Sequence, residues 1–151
     1  MGKNQLTDTL LSQPQAAASS PSLGEQRVTL VAEEGASFFS GSLRLYALLS
    51  SGGVCGCLDL YAYDPLNRRC AVGIMVATEY RRQGYALAML QALEAHFSPT
   101  LHTLYADIAA TNAASLALFR KAGYTECGHF HDWLCVKDHF IDNIRMQKTL
   151  P

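Results

Sequence analysis

The sequence predicts a mixed α/β domain in which helices pack on one mostly antiparallel sheet. Three observations carry this. Three short runs rich in β-branched, aromatic and small apolar residues follow one another between turn signals, which reads as a meander of hairpins. Two segments with apolar residues at helical spacing then alternate with a further strand-like run, and two more strand-like runs close the chain.

In order, "LTDTLLSQ" predicts one or two helical turns, and "QPQAAASSPSLGEQ" at 13–26, poor in large apolar groups, reads as a linker. Residues 1–36 are therefore expected to form a short helix and linker-like N-terminal segment, and 37–151 the folded domain. "SLRLYALLS", "GVCGCLDLYAY" and "RCAVGIMVA" are the three meander strands, separated by "SGG" and "DPLN". From Gly84 to Phe97, Ala86, Leu90, Leu93 and Phe97 share one helical face, and Pro99 ends that helix. "HTLYADIA" is the next strand. "TNAASLALFRKAG" is the second helix, with Thr111 or Asn112 as its cap and Gly123 in the left-handed terminating position. "YTECGHFHDWLCV" and "HFIDNIRMQKTL" form the closing hairpin.

Composition narrows the function. A chain of 151 residues supports one domain with a sizeable core. Twelve basic against 13 acidic residues, net charge −1, leave no overall basic footprint for nucleic acid or an anionic membrane, so a small ligand is expected. Five cysteines, an odd number and mostly within apolar runs, argue against a disulfide framework and for a reducing compartment, with cytoplasm as the expectation. No signal peptide or membrane span is expected, and Leu6 spoils a myristoylation motif.

"EYRRQGYALAML" (79–90) puts two arginines and a glycine at a strand-to-helix junction. The first amides of a helix lack intrahelical partners and the helix dipole adds positive charge, so this is an anion site. Gly84 admits close approach, Ala86 keeps the next turn small, and Arg81 and Arg82 supply charge-assisted donors. Taken alone, the pattern is equally compatible with an ordinary turn flanked by solvated arginines.

The second motif, Asn112-Ala-Ala-Ser115-Leu-Ala-Leu118-Phe119-Arg-Lys-Ala-Gly123-Tyr124, follows by one helix and one strand. Together, in that order, the two motifs resemble the GNAT superfamily of acetyl-CoA-dependent N-acetyltransferases over roughly residues 43–150. "CLDLYAYDPLNRRCAVGIMV" is similar to the branch holding ribosomal-protein N-terminal and spermidine acetyltransferases. The resemblance implies a mixed sheet splayed at its central strands and flanked by helices. It implies acetyl-CoA as cosubstrate, a pyrophosphate held at Arg81, Arg82, Gln83, Gly84, Tyr85 and Ala86, and a pantetheine arm along the backbone of Ile74 and Val76. Asn112 and Phe119 complete the implied cofactor contacts, and Gly73 is where a bulge opening the splay is expected. Relatives usually begin with a strand and two helices, so the N-terminal part here looks shortened.

The implied reaction is acetyl transfer to a primary amine (a peptide N-terminus, a polyamine or another small amine) by direct attack, with the Val76 N–H polarising the carbonyl. The rival is a coenzyme A binding module without catalysis. Many relatives carry a glutamate base where this chain has Cys70 and Ala71, and a tyrosine acid where it has Phe119. Asp59, Asp107 and Asp132 remain as candidate bases, against ordinary surface or structural roles, and Ser115 as candidate acid, against a polar residue near the helix cap. Tyr124 and Tyr85 are weaker acid candidates. Cys127, His129, His131 and Cys135 share one strand face, but alternate side chains on a flat strand lie about 7 Å apart, so no metal is expected. Acetyl-CoA and an amine are the expected partners, with a homodimer through the C-terminal strands.

Overall fold

A computed structural model describes residues 28–34 and 42–151. The predicted helix and linker before Val28 lie outside the described residues. Seven strands form one sheet: β1 (Val28–Ala32), β2 (Ser42–Leu49), β3 (Val54–Asp64), β4 (Arg69–Val76), β5 (Thr103–Ala109), β6 (Thr125–Val136) and β7 (His139–Thr149), in the order β1-β2-β3-β4-β5-β7-β6. Two helices, α1 (Tyr85–Phe97) and α2 (Ala113–Lys121), follow β4 and β5.

Strand alternation sets the core. In β2, Leu43, Leu45 and Ala47 are buried while Ser42 and Arg44 between them are exposed, the period of two that one covered face requires. Leu58 and Leu60 of β3, Leu104 and Ala106 of β5 and Met146 of β7 continue the covered face, and Met89, Leu90, Leu93 and Phe97 of α1 join the same core. Ala86 sits only partly buried at the edge of the expected helical stripe. Gly123, at φ 91°, terminates α2 as expected, and of the two proposed caps it is Asn112 whose side chain accepts the Ser115 N–H at 3.2 Å.

β1 pairs with β2 from Val28↔Leu49 to Ala32↔Leu45, so the sheet begins inside the segment expected to precede the domain. A five-residue edge strand gave too little pattern to separate it from the linker. No helix among the described residues is long and apolar enough to cross a membrane.

All strand pairs are antiparallel except β4–β5, which is parallel and brief: Arg69↔Thr103, Cys70↔Leu104 and Ala71↔Tyr105. Beyond Ala71, β4 stays with β3 through Gly56↔Val76, and β5 stays with β7 through Ala109↔Asn143. Each central strand follows a different neighbour, and the sheet opens into a cleft. The expected bulge at Gly73 is absent, since the β3–β4 register runs unbroken from Tyr61↔Ala71 to Gly56↔Val76. The irregularity falls on β3 between Tyr61 and Asp64, where Ala62 takes φ 49°.

Candidate active site

The cleft walls are backbone. Ala77 donates its N–H to the Cys55 carbonyl at 2.9 Å, which fixes the alternation of the antiparallel ladder along β4. By that alternation odd-numbered residues bond to β3, and the peptide groups of Ile74 and Val76 face the cleft. Gly56 is the device that lets β3 lie close behind this wall. A Cβ there would collide with the Met75 carbonyl oxygen and sit 3.1 Å from the Val76 Cα.

At the mouth of the cleft the chain makes a 3-10 turn over Thr78–Tyr80 and enters α1. Arg81 folds back so that its Nε donates to the Val76 carbonyl at 3.0 Å, and Gln83 Nε2 donates to the Glu79 carbonyl at 2.9 Å. These two bonds tie the turn to the strand end. Arg82 (φ 59°) and Gly84 (φ 84°) take left-handed conformations that swing the backbone into the helix. Gly84 is the N-cap and has no side chain to bond the first amides, so those of residues 84–87 are left without an intrahelical acceptor. Tyr85 packs edge-on against Tyr80 with ring centroids 5.8 Å apart. Of the two arginines, Arg82 is the one with no partner among the described residues.

Across the cleft, β5 leads through Ala109–Thr111 into α2. Asn112 is exposed and spends its side-chain carbonyl oxygen on the helix cap, so its amide nitrogen is not used by the cap, and Ser115 lies half-buried one turn on. The structure thus brings Ile74, Val76, residues 81–86, Asn112 and Ser115 to the end of the sheet where β4 and β5 part. It does not bring Phe119 there: that ring is 1% exposed and packs edge-on against Tyr124 at 4.9 Å, inside the core. Tyr124 is buried as well, and burial pushes its hydroxyl far above the usual tyrosine range, so it does not serve as the acid.

The candidate bases are mostly engaged. Asp107 accepts both Arg145 Nε and Nη2 at 2.8 Å and Asn143 Nδ2 at 3.1 Å; the arginine hydrogen bonds hold its carboxyl below the usual range. Asp59 accepts Arg44 Nε and Nη2, at 2.7 and 2.8 Å. Asp132 sits at φ 49° in a bulge of the edge strand β6, away from the β4–β5 cleft in the strand order. None is a free base facing the cleft. Cys70 is fully buried, and burial pushes its thiol up to about 12, which removes it as a nucleophile at neutral pH.

The sheet face away from the helices carries a groove of about 550 Å³, lined by Glu33, Arg44, Tyr46, Asp59, Tyr61 and Gly73 among others. Sequence reasoning missed it because it assembles three strands and the residue just after β1. Asp59 and Gly73 are cross-strand partners 14 positions apart, and nothing local marks them as neighbours.

The acetyltransferase (GNAT) domain family matches residues 9–125. The spermidine N(1)-acetyltransferase of Vibrio cholerae is 26% identical over 93 residues, 60% of this chain and 54% of that protein, so the chain spans about half the length of this curated relative. Among solved structures, the Vibrio cholerae spermidine N-acetyltransferase in complex with CoA and spermine superposes with a TM-score of 0.68 at 22% identity, over 74% of this chain and 67% of that one. A dodecameric structure of the same enzyme in an intermediate state gives 0.66 at 22% identity, over 72% and 65%. At that identity the structures speak for the fold, and the domain match for the family: the chain belongs to the GNAT acetyltransferase family.

Proposed function

We propose that this GNAT family member binds acetyl-CoA in the cleft between β4 and β5 and transfers the acetyl group to a primary amine by direct attack. The observation that carries the reading is the end of β4–β5 pairing at Ala71, which leaves the peptide groups of Ile74 and the N–H of Val76 facing a slot, the Val76 carbonyl being taken by Arg81. A pantetheine arm has amides spaced along an extended chain and bonds such a wall as a strand does. The unbonded amides of residues 84–87 seat the pyrophosphate, the exposed Arg82 adds a positive charge, and the Asn112 amide nitrogen bonds the arm from the opposite wall.

The Val76 N–H polarises the thioester carbonyl. The neutral amine attacks the carbonyl carbon, the N–C bond forms and the C–S bond breaks. The thiolate takes a proton from water, directly or through the Ser115 hydroxyl, which regains its proton from water, and the amine proton passes to water. With the Cys70 thiol pushed up to about 12, no acyl-enzyme step is routed through that residue. The acceptor enters from the groove on the opposite face. Glu33 there has only the Tyr46 hydroxyl, at 3.5 Å, as a described partner, and its free charge favours a small cationic amine, of which the spermidine handled by the Vibrio enzyme is one example. Two copies are expected to associate along the β6–β7 hairpin, where Trp133, Val136 and Phe140 are exposed; light scattering reads this, and a monomer mass at tens of micromolar protein would remove it.

One observation favours the second reading, a coenzyme A binding module without turnover: Asp59 and Asp107 are both spent on arginines. Free-thiol release from acetyl-CoA against polyamines, short peptides and simple amines separates the two. Release that depends on one amine supports transfer. Acetyl-CoA binding with no amine-dependent release leaves the binding module.

A further inference from the structure

We propose that His129, His131 and Asp142 form a site for a borderline divalent transition metal of the zinc class, midway along the β6–β7 ribbon. Among the described residues these are the three groups whose ligand atoms gather together, all within 4.8 Å of one another. The site rests on a bulge. β6 loses register with β7 between Phe130 and Leu134, and Asp132 takes φ 49° there, so the strand is not flat where the two histidines stand. Their ring centroids come to 4.6 Å, well inside the roughly 7 Å of alternate side chains on a flat strand. The third ligand comes from the neighbouring strand, not from Cys127 or Cys135. Cys127 is directed to the Arg145 carbonyl at 3.4 Å, and Cys135 pairs with Phe140 beyond the bulge.

The donor set is right in kind and nearly right in spacing. Asp142 Oδ2 lies 2.7 Å from His129 Nε2 and 3.1 Å from His131 Nδ1. Metal bonds of about 2.05 Å at tetrahedral angles require ligand atoms about 3.3 Å apart, so on binding the rings turn to open the two short contacts and to close the widest separation among the three ligand atoms, which is at most 4.8 Å. His131, with a side chain 79% exposed, is free to turn. The second carboxylate oxygen is already held: Oδ1 accepts the Asp132 N–H at 2.9 Å, the outer support that orients a ligating carboxylate. On coordination each imidazole turns a lone pair to the metal and keeps its proton on the other ring nitrogen. Two histidines and one carboxylate leave a position open to solvent.

The site also touches the rest of the molecule. The Asp142 carbonyl accepts the Ala110 N–H at 2.8 Å, and Ala110 begins the short loop carrying Asn112. A bound ion therefore braces that loop as well as the bulge.

The test uses the full chain stripped of metal, titrated with Zn2+ against a chromophoric chelator, with thermal melting in parallel. The expected result is one ion per chain, raising the melting temperature, with affinity falling more than about tenfold in His131→Gln and in Asp142→Asn. His131→Gln alters an exposed side chain, so it keeps the test valid should Asp142→Asn fold poorly. The Cys127→Ser/Cys135→Ser double variant is expected to bind as the parent does. Binding that survives His131→Gln, binding lost in the cysteine variant, or no stoichiometric binding would each overturn the proposal.

Discussion

Gly84 offers the sharpest perturbation, because strain and charge can be separated there. At φ 84°, any L-residue costs about 1–2 kcal/mol of stability, and alanine and glutamate pay it alike. Only glutamate adds a negative charge beside amides that should face a pyrophosphate. Two like charges about 5 Å apart in water repel by about 0.8 kcal/mol, and two phosphate charges double this. Screening at physiological salt roughly halves the sum, leaving about 1 kcal/mol, or about fivefold in affinity, rising toward about fifteenfold at low salt. Calorimetric titration of acetyl-CoA into Gly84→Ala and Gly84→Glu, with matched melting curves, reads both effects. The expected result is two variants of equal stability in which the glutamate binds more weakly, by a margin that grows as salt falls. Equal affinities, or a difference indifferent to salt, would refute the placement of the anion on this turn.

Other outcomes follow from the same structure. Asp107→Ala strips the acceptor from Arg145 and from the buried Asn143, at a cost of about 1–2 kcal/mol in urea unfolding. Because the folded carboxyl titrates below its unfolded value of about 3.9, this difference from the parent is complete above that pH. It shrinks as pH falls through the folded pKa. Gly56→Ala presses a Cβ into the Met75 carbonyl and the Val76 backbone, so it is expected to cost about 1–3 kcal/mol and to weaken acetyl-CoA binding together, read by melting and titration. Iodoacetamide at neutral pH, followed by mass spectrometry, is expected to label the exposed Cys127 and Cys135 and to spare Cys55 and Cys70 until the chain unfolds.

The sequence and the structure agree most where the signal is local. Strand alternation in "SLRLYALLS" and the helical spacing from Ala86 to Phe97 each depend on one face being covered, and both elements fall where those patterns put them. Gly123 was legible because left-handed backbone at a helix end selects glycine, whereas Gly84 was read for close approach of an anion and its φ of 84° came from the structure. The splay was legible only through the family resemblance, and its cause was misplaced. A bulge at Gly73 is a local event, whereas the cleft arises because β4 and β5 keep faith with different neighbours. Side-chain roles were the least legible. Asp107 looked like a base because Arg145, its partner, lies 38 residues away, and Asp142 was invisible beside "HFH" because a bulge on the adjacent strand sets their register. Phe119 was read as a cofactor contact from the resemblance alone, yet packing has drawn it into the core.

The central claim is that the cleft between β4 and β5 and the uncapped start of α1 seat one cofactor. Amide hydrogen exchange with and without saturating acetyl-CoA tests it most directly. The account predicts slowed exchange at Ile74, Val76 and residues 84–87, with the β1–β2 and β6–β7 pairs unchanged. Acetyl-CoA binding that protects other amides while leaving Val76 and the α1 start untouched would contradict it.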